Sequence, residues 1–198
     1  MFNQHNYLLI IIPFVLFTSA NGARYEFVAD NDQVYEECRD MPGTMGVHGA
    51  FDFTDLHMEY RDGSIHVYGN STNIYKGTQP TDIVQLLGEL YKFQQGDWQP
   101  TPFTIWVKDF CAVQFNPTTP WYQFWGRHVH KADRKCVNVY GQTYHHDEFT
   151  VDIGFDFPIN MEGRSKLKVR AWAVDPKTMQ RRPNEICFQI VGSFYKVK

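Results

Sequence analysis

The sequence predicts an all-β protein: an antiparallel two-sheet sandwich or open cup-like barrel, with a short helical insertion around residues 109–131. Three observations predict it. Short runs of alternating apolar and polar residues recur along the chain, separated by turn-forming clusters. The clearest run sets Phe149, Val151, Ile153, Phe155 and Phe157 against Thr150, Asp152, Gly154 and Asp156, the pattern of one half-buried antiparallel strand. Between Trp98 and Trp125 the alternation gives way to a helix start and a concentration of rings, nine of twenty-eight residues being Trp, Tyr or Phe.

The chain begins with twenty residues that lack Lys, Arg, Asp and Glu. Tyr7 to Phe17 is apolar apart from Pro13, and small residues follow at Thr18, Ser19 and Ala20. Residues 1–22 therefore read as a secretory signal peptide, the apolar run being shorter than the ~20 residues of a membrane span. The remainder, 23–198, is the size of a single domain. A net charge of −3 gives no basic field, so nucleic acid is not an expected partner.

Taken in order, Tyr25 to Val28 reads as a first short strand. Leu56, Met58 and Tyr60 alternate with His57 and Glu59. Asp62-Gly63 is a hairpin turn, and Ile65, Val67 and Gly69 alternate on the return. Ile83 to Phe93 is apolar on both parities, which fits a buried strand and, by length, a helix equally. Phe103, Ile105 and Val107 mark another strand, ending at Lys108. Thr119 and Pro120 suit the N-cap and first position of a helix. Trp121, Phe124, Trp125 and His128 would then share one helical stripe. Asp109 is positioned to cap a turn from Phe110 to Phe115, and the next strand is expected near Val139. Leu167, Val169 and Ala171 alternate with Lys166, Lys168 and Arg170, a basic run read as a solvated face. Ile186, Phe188 and Ile190 form the last strand.

The four cysteines, Cys38, Cys111, Cys136 and Cys187, contain no CxxC pair. In an oxidising compartment they imply two disulfides, with three connectivities open. Local pairing favours Cys111–Cys136, which would clamp the insertion. Asn70-Ser71-Thr72 is the usable glycosylation sequon.

No GxSxG, HExxH or phosphate-binding glycine loop occurs, so neither catalysis nor a cofactor is expected. His128, His130, His145 and His146 cluster in sequence, but strand neighbours point to opposite faces, so no metal site is expected. The aromatic centre remains. Any one ring there has a place in a core. Together they are costly to leave in water, and Trp and Tyr suit a boundary between apolar and wet surroundings. The candidate ligand-binding residues are Trp106, Phe110, Trp121, Tyr122, Phe124 and Trp125, with a hydrophobic small molecule or lipid as partner.

Five ordered motifs add a resemblance. Pro80-Thr81-Asp82, Trp98-Gln99-Pro100-Thr101, Lys108-Asp109-Phe110-Cys111, Trp121-Tyr122 with Trp125, and Arg182-Pro183-Asn184-Glu185-Ile186-Cys187 resemble those of the insect chemosensory B (CheB) family. The resemblance spans nearly all of 23–198. It implies a secreted, extracellular protein of gustatory hairs, linked to contact pheromones such as cuticular hydrocarbons. A chemosensory receptor or membrane surface is then a further partner. It also implies distant kinship with the GM2-activator and lipid-recognition proteins, β-cup folds that hold an acyl chain between two sheets. That kinship implies the pairing Cys38–Cys187 and Cys111–Cys136. The chain lacks the activator's additional central cysteines. Two rival readings are an extracellular interaction module with a solid core and a secreted lipid hydrolase.

Overall fold

The computed structural model describes residues 22–30, 34–61, 64–151 and 154–197. The expected signal segment lies outside them except for Gly22, and so do the Asp62-Gly63 turn, Asp152 and Ile153. Among the described residues the strands are β1 (Ala23–Ala29), β2 (Glu36–Glu37), β3 (Phe51–Asp52), β4 (Leu56–Arg61), β5 (Ser64–Asn73), β6 (Ile83–Gln94), β7 (Asp97–Val107), β8 (Thr143–Val151), β9 (Gly154–Phe157), β10 (Gly163–Val174) and β11 (Ile186–Lys196). They form two antiparallel sheets. The larger runs β7-β6-β10-β11-β1-β9, with β2 also paired to β11. In the smaller, β5 pairs with β3, β4 and β8. The architecture is the expected all-β two-sheet class, with helices α1 (Val47–Ala50), α2 (Phe110–Val113) and α3 (Pro120–Phe124) all very short.

Several expected elements change. Ile83–Gln94 is a strand, because it pairs with β7 on one side and β10 on the other. β7 begins at Asp97 and carries Pro100 and Pro102. An edge position tolerates prolines, which offer no N–H to a ladder, and the register shift between Glu89 and Tyr91 absorbs the irregularity. The run from Phe149 to Phe157 is not one strand. β8 belongs to the small sheet, whereas β9 pairs with β1 in the large one. Alternation alone does not detect this crossing, because an inward residue stays inward when a strand changes sheets. The strand expected near Val139 starts at Thr143, after a turn held by Val139 N–H to Cys136 O and Gln142 N–H to Val139 O.

Register defines the two faces of the large sheet. Leu90, Gly88, Leu86 and Val84 of β6 pair with Leu167, Val169, Ala171 and Ala173 of β10. Their apolar side chains form the inner face. Leu87 and Trp106 pair on the opposite, outer face, beside Arg170. The basic run on this outer face is not the solvated one expected. Lys168 is buried and its Nζ lies 2.6 Å from Asp40 Oδ2, while Arg170 pairs with Glu185. A buried ammonium needs such a partner.

Buried apolar residues gather in two clusters. One holds Tyr25, Leu90, Met161 and Phe194, with Phe103, Phe155 and Phe157 against it. The other holds Val84, Val107 and Phe110, with Leu86 and Trp121 against it. Cys38–Cys187 and Cys111–Cys136 are bonded, as implied by the kinship, with Cα separations of 5.7 and 5.1 Å that suit disulfides. The motif residue Asp82, 3 % exposed, accepts from Arg182 Nη2 at 2.8 Å and binds the loop leading to β11 to the start of β6.

Candidate functional site

The insert between β7 and β8 carries most of the candidate residues. Asp109 caps α2, its Oδ1 accepting from Ala112 N–H at 3.1 Å. Thr119 precedes Pro120 as expected, but its hydroxyl donates back to Asn116 O at 2.7 Å and makes no side-chain cap. α3 ends at Phe124, and residues 126–128 form a tighter 3-10 turn. The four stripe residues consequently do not share one face. They fan out across the space between the sheets.

Trp121 turns toward the large sheet. Its ring centroid lies 5.3 Å from that of Phe110, and its Nε1–H donates to Val113 O at 3.2 Å. Phe124 meets Phe155 of β9 at 5.4 Å. Trp125 turns the other way, to Tyr144 at 5.2 Å and His146 at 6.2 Å on β8. His128 stacks on Phe149 at 3.8 Å. Tyr122 lies under the Arg134 guanidinium, 5.6 Å from its ring centre, a cation–π distance. The insert thus touches both sheets.

Of the candidate residues, Phe110 and Trp121 are brought into contact, whereas Tyr122, Phe124 and Trp125 share the insert but face Arg134, Phe155 and Tyr144. Trp106 does not join them. It lies on the outer face, 46 % exposed, with its ring 5.4 Å from that of Trp172. Its place was visible in its own strand, where it alternates with Ile105 and Val107.

Phe110 is buried, but none of the residues of α3 is. Trp121, Tyr122, Phe124 and Trp125 are each only partly covered, as are Phe103, Phe155 and Phe157 across from them. Ile105, on the inner face of the edge strand β7, is 44 % exposed. Beside it, a Cβ added at Gly88 would meet only Leu167 Cδ1 at 3.8 Å and Ile105 Cβ at 3.9 Å, ordinary contacts. Two surface depressions lie elsewhere. One, of about 280 Å³, is lined by Tyr25, Phe157 and Ile159 and adjoins the first apolar cluster. The other, of about 420 Å³, lies between Met45, Ile74 and Tyr140. Neither reaches the residues of α3.

Sequence reasoning missed one inward polar pair. His146 is 7 % exposed and Ser71 is 2 % exposed. His146 Nε2 stands 3.2 Å from Ser71 Oγ, and Nδ1 has no hydrogen-bond partner among the described residues. Burial pushes the imidazole pKa down to about 4, helped by nearby His128, His130 and His145. Burial likewise raises the Tyr144 phenol, whose hydroxyl donates to Lys135 O at 3.2 Å. His146 has the outward parity of the Phe149–Phe157 alternation; the register shift between Val67 and Gly69 turns it inward, and its partner lies on another strand. Two other histidines of the cluster face acids at the surface, His130 with Asp147 and His145 with Asp133, each at 2.8 Å, whereas His128 accepts from Arg127 Nε at 2.9 Å. Among the described residues no group of His, Cys, Asp or Glu is placed to hold a metal.

Asn70 precedes Ser71 on β5 and so points to the other side of the small sheet, where it is half-exposed. No described helix is long and apolar enough to cross a membrane. No protein-family model and no curated protein matches the chain.

Proposed function

We propose that this is a secreted chemosensory accessory protein that takes up a hydrophobic ligand between its two sheets for gustatory or pheromone detection. The ligand class is a lipid or a pheromone-like cuticular hydrocarbon. The protein acts by uptake and presentation, without catalysis. One observation carries the reading: inward-facing rings of the insert and of the large sheet are covered by their own chain but not fully buried. A solid sandwich buries such rings, since each fully buried large apolar side chain is worth about 1.5–3 kcal/mol. An apolar chain laid between them supplies the missing contacts, at about 0.8 kcal/mol per methylene before ordering costs. The insert, which meets both sheets, is the element that admits the ligand or presents it to a receptor or membrane surface. Two disulfides fit an oxidising, extracellular setting.

The test is displacement of a fluorescent fatty acid from the oxidised protein, with native mass spectrometry as a second readout. Binding is expected in wild type. Gly88→Leu, which fills the strip between the clusters, should abolish binding while leaving the urea midpoint unchanged or higher. In a filled interior the same substitution overpacks the core and costs about 1–3 kcal/mol. Absence of binding by both readouts leaves the interaction module as the better reading.

A hydrolase reading draws on Ser71 and His146, which stand within hydrogen-bond reach. Among the described residues the pair lacks the third group that orients a catalytic imidazole. With its pKa near 4, His146 is also a weak base at neutral pH. No labelling of Ser71 by a fluorophosphonate is the expected result.

A further inference from the structure

The edges of the two sheets are not alike. An edge strand offers unpaired N–H and C=O groups to any extended chain, and folded proteins blunt such edges with charges, prolines, short strands or covering segments. Most edges here are blunted in one of these ways. β2, β3 and β9 are two, two and four residues long. β4 carries Glu59 and Arg61. β8 carries Asp147 and Glu148 and is bridged by Val129 opposite His146.

β7 is different. It ends the large sheet, and among the described residues it pairs only with β6. Its first half is guarded by Asp97, Pro100 and Pro102, but the stretch Phe103-Thr104-Ile105-Trp106-Val107 holds no charge and no proline. All five residue types favour strands. Thr104, Ile105 and Trp106 are exposed in succession. Neighbours on a strand point to opposite faces, so this stretch is left open on both faces as well as along its edge.

We propose that Phe103–Val107 is a docking edge for a second copy of this chain, paired antiparallel about a two-fold axis at Ile105. The proposal goes beyond the carrier reading and does not depend on it. Ile105 is the midpoint of the uncharged window. Phe103 of one copy then stands opposite Val107 of the other, Thr104 opposite Trp106, and Ile105 meets its own counterpart. Cross-strand pairs of β-branched and aromatic side chains are the kind that stabilise a sheet. Lys108, the first charge beyond the window, falls level with Pro102 of the other copy, so no like charges oppose each other. A charged segment would find no ion-pair partner within the window, whereas a second copy brings an edge of matching character. The seven-stranded sheets of two copies join here. Their far ends are β9, short and carrying Asp156, so the contact closes at two copies.

The experiment is sedimentation equilibrium of the oxidised protein, with amide hydrogen exchange at residues 103–107 read at low and high concentration. A single chain when dilute and a doubled mass toward about 100 μM is expected, since so small an interface binds weakly. Exchange at 103–107 should slow as the dimer forms. Ile105 is 44 % exposed, so a single chain has room for a longer side chain there. Ile105→Lys sets two ammonium groups opposite each other and should weaken association by about tenfold or more. Ile105→Glu should do the same, and an equimolar mixture of the two variants should restore the doubled mass. A single chain at every concentration overturns the proposal, whether the edge amides exchange quickly or are already protected by the chain itself. A dimer that Ile105→Lys does not weaken, or that forms without slowing exchange at 103–107, has its contact elsewhere and also overturns it. Mass that grows past two copies overturns the closed pair. Where the variants do not fold, the wild-type mass and exchange decide. None of these readouts involves ligand, so the carrier reading stands or falls separately.

Discussion

Trp172 and Trp125 lie on opposite sides of the large sheet, and the chain treats them differently. Trp172, on the outer face, is 2 % exposed. Its Nε1–H donates to Gln85 Oε1 at 3.0 Å, and the Arg181 guanidinium sits 3.9 Å from its ring centre. Around it Lys168 is paired with Asp40 and Arg170 with Glu185. Trp125, in the insert, keeps part of its ring uncovered and stands beside an unpaired imidazole nitrogen. The outer face shows that this chain can satisfy large rings and buried charges from its own residues. Incomplete covering is not confined to the insert, since Trp106 on the outer face is 46 % exposed, but in the insert the partly covered rings turn toward both sheets, and that is where the proposed ligand belongs.

Breaking the disulfides tests the comparison most strongly. Cys38–Cys187 spans 149 residues and Cys111–Cys136 spans 25. In the chain-entropy model, replacing the first pair by serines costs about 5 kcal/mol and the second about 3–4 kcal/mol. Chemical denaturation should show that order. Ligand affinity should follow the opposite one among molecules that remain folded, because the second bridge holds the insert.

Next come the two indoles. Trp172→Ala should cost about 3–5 kcal/mol, the range for a large buried ring. Trp125→Ala should cost clearly less in the empty protein and should reduce ligand affinity, which Trp172→Ala at matched folded fraction should not. Equal destabilisation by both, read from urea midpoints, would erase the distinction between the regions.

A pH series sharpens it further. His146 has its folded pKa held near 4, below its ordinary 6.5. Above 6.5 neither folded nor unfolded imidazole is protonated, and stability is full. As pH falls from 6.5 toward 4 the unfolded chain binds a proton that the folded one refuses, so stability is lost, on the order of 3 kcal/mol. His128, lowered by burial and by Arg127, contributes in the same direction. His146→Phe should flatten most of this slope in urea midpoints taken between neutral pH and about pH 4.5. The smallest effect belongs to the far face of the small sheet: Asn70→Gln should remove a glycan, seen as a mobility shift, with a stability change within about 0.5 kcal/mol.

Much of this was legible in the sequence. Period-two alternation gave the all-β class, and the Asp109 cap and Thr119-Pro120 start located the insert. What stayed hidden depends on distant partners. Lys168 read as a solvated charge because Asp40 lies 128 residues away. The break between β8 and β9 was invisible because both halves keep the same inward parity. The helical stripe failed because α3 stops at Phe124, too short to hold four residues on one face. The pairing of Ser71 with His146 joins two strands whose register no local pattern encodes.

The central claim is that an apolar chain lies against the insert. Of the five tryptophans, Trp98, Trp106 and Trp172 belong to the large sheet, whereas Trp121 and Trp125 belong to the insert. Quenching of intrinsic fluorescence by a long-chain bromoalkane measures proximity directly. Saturable quenching that vanishes in the Trp121→Phe/Trp125→Phe double variant is the predicted result. Quenching that is absent, or that persists unchanged in the double variant, would contradict it.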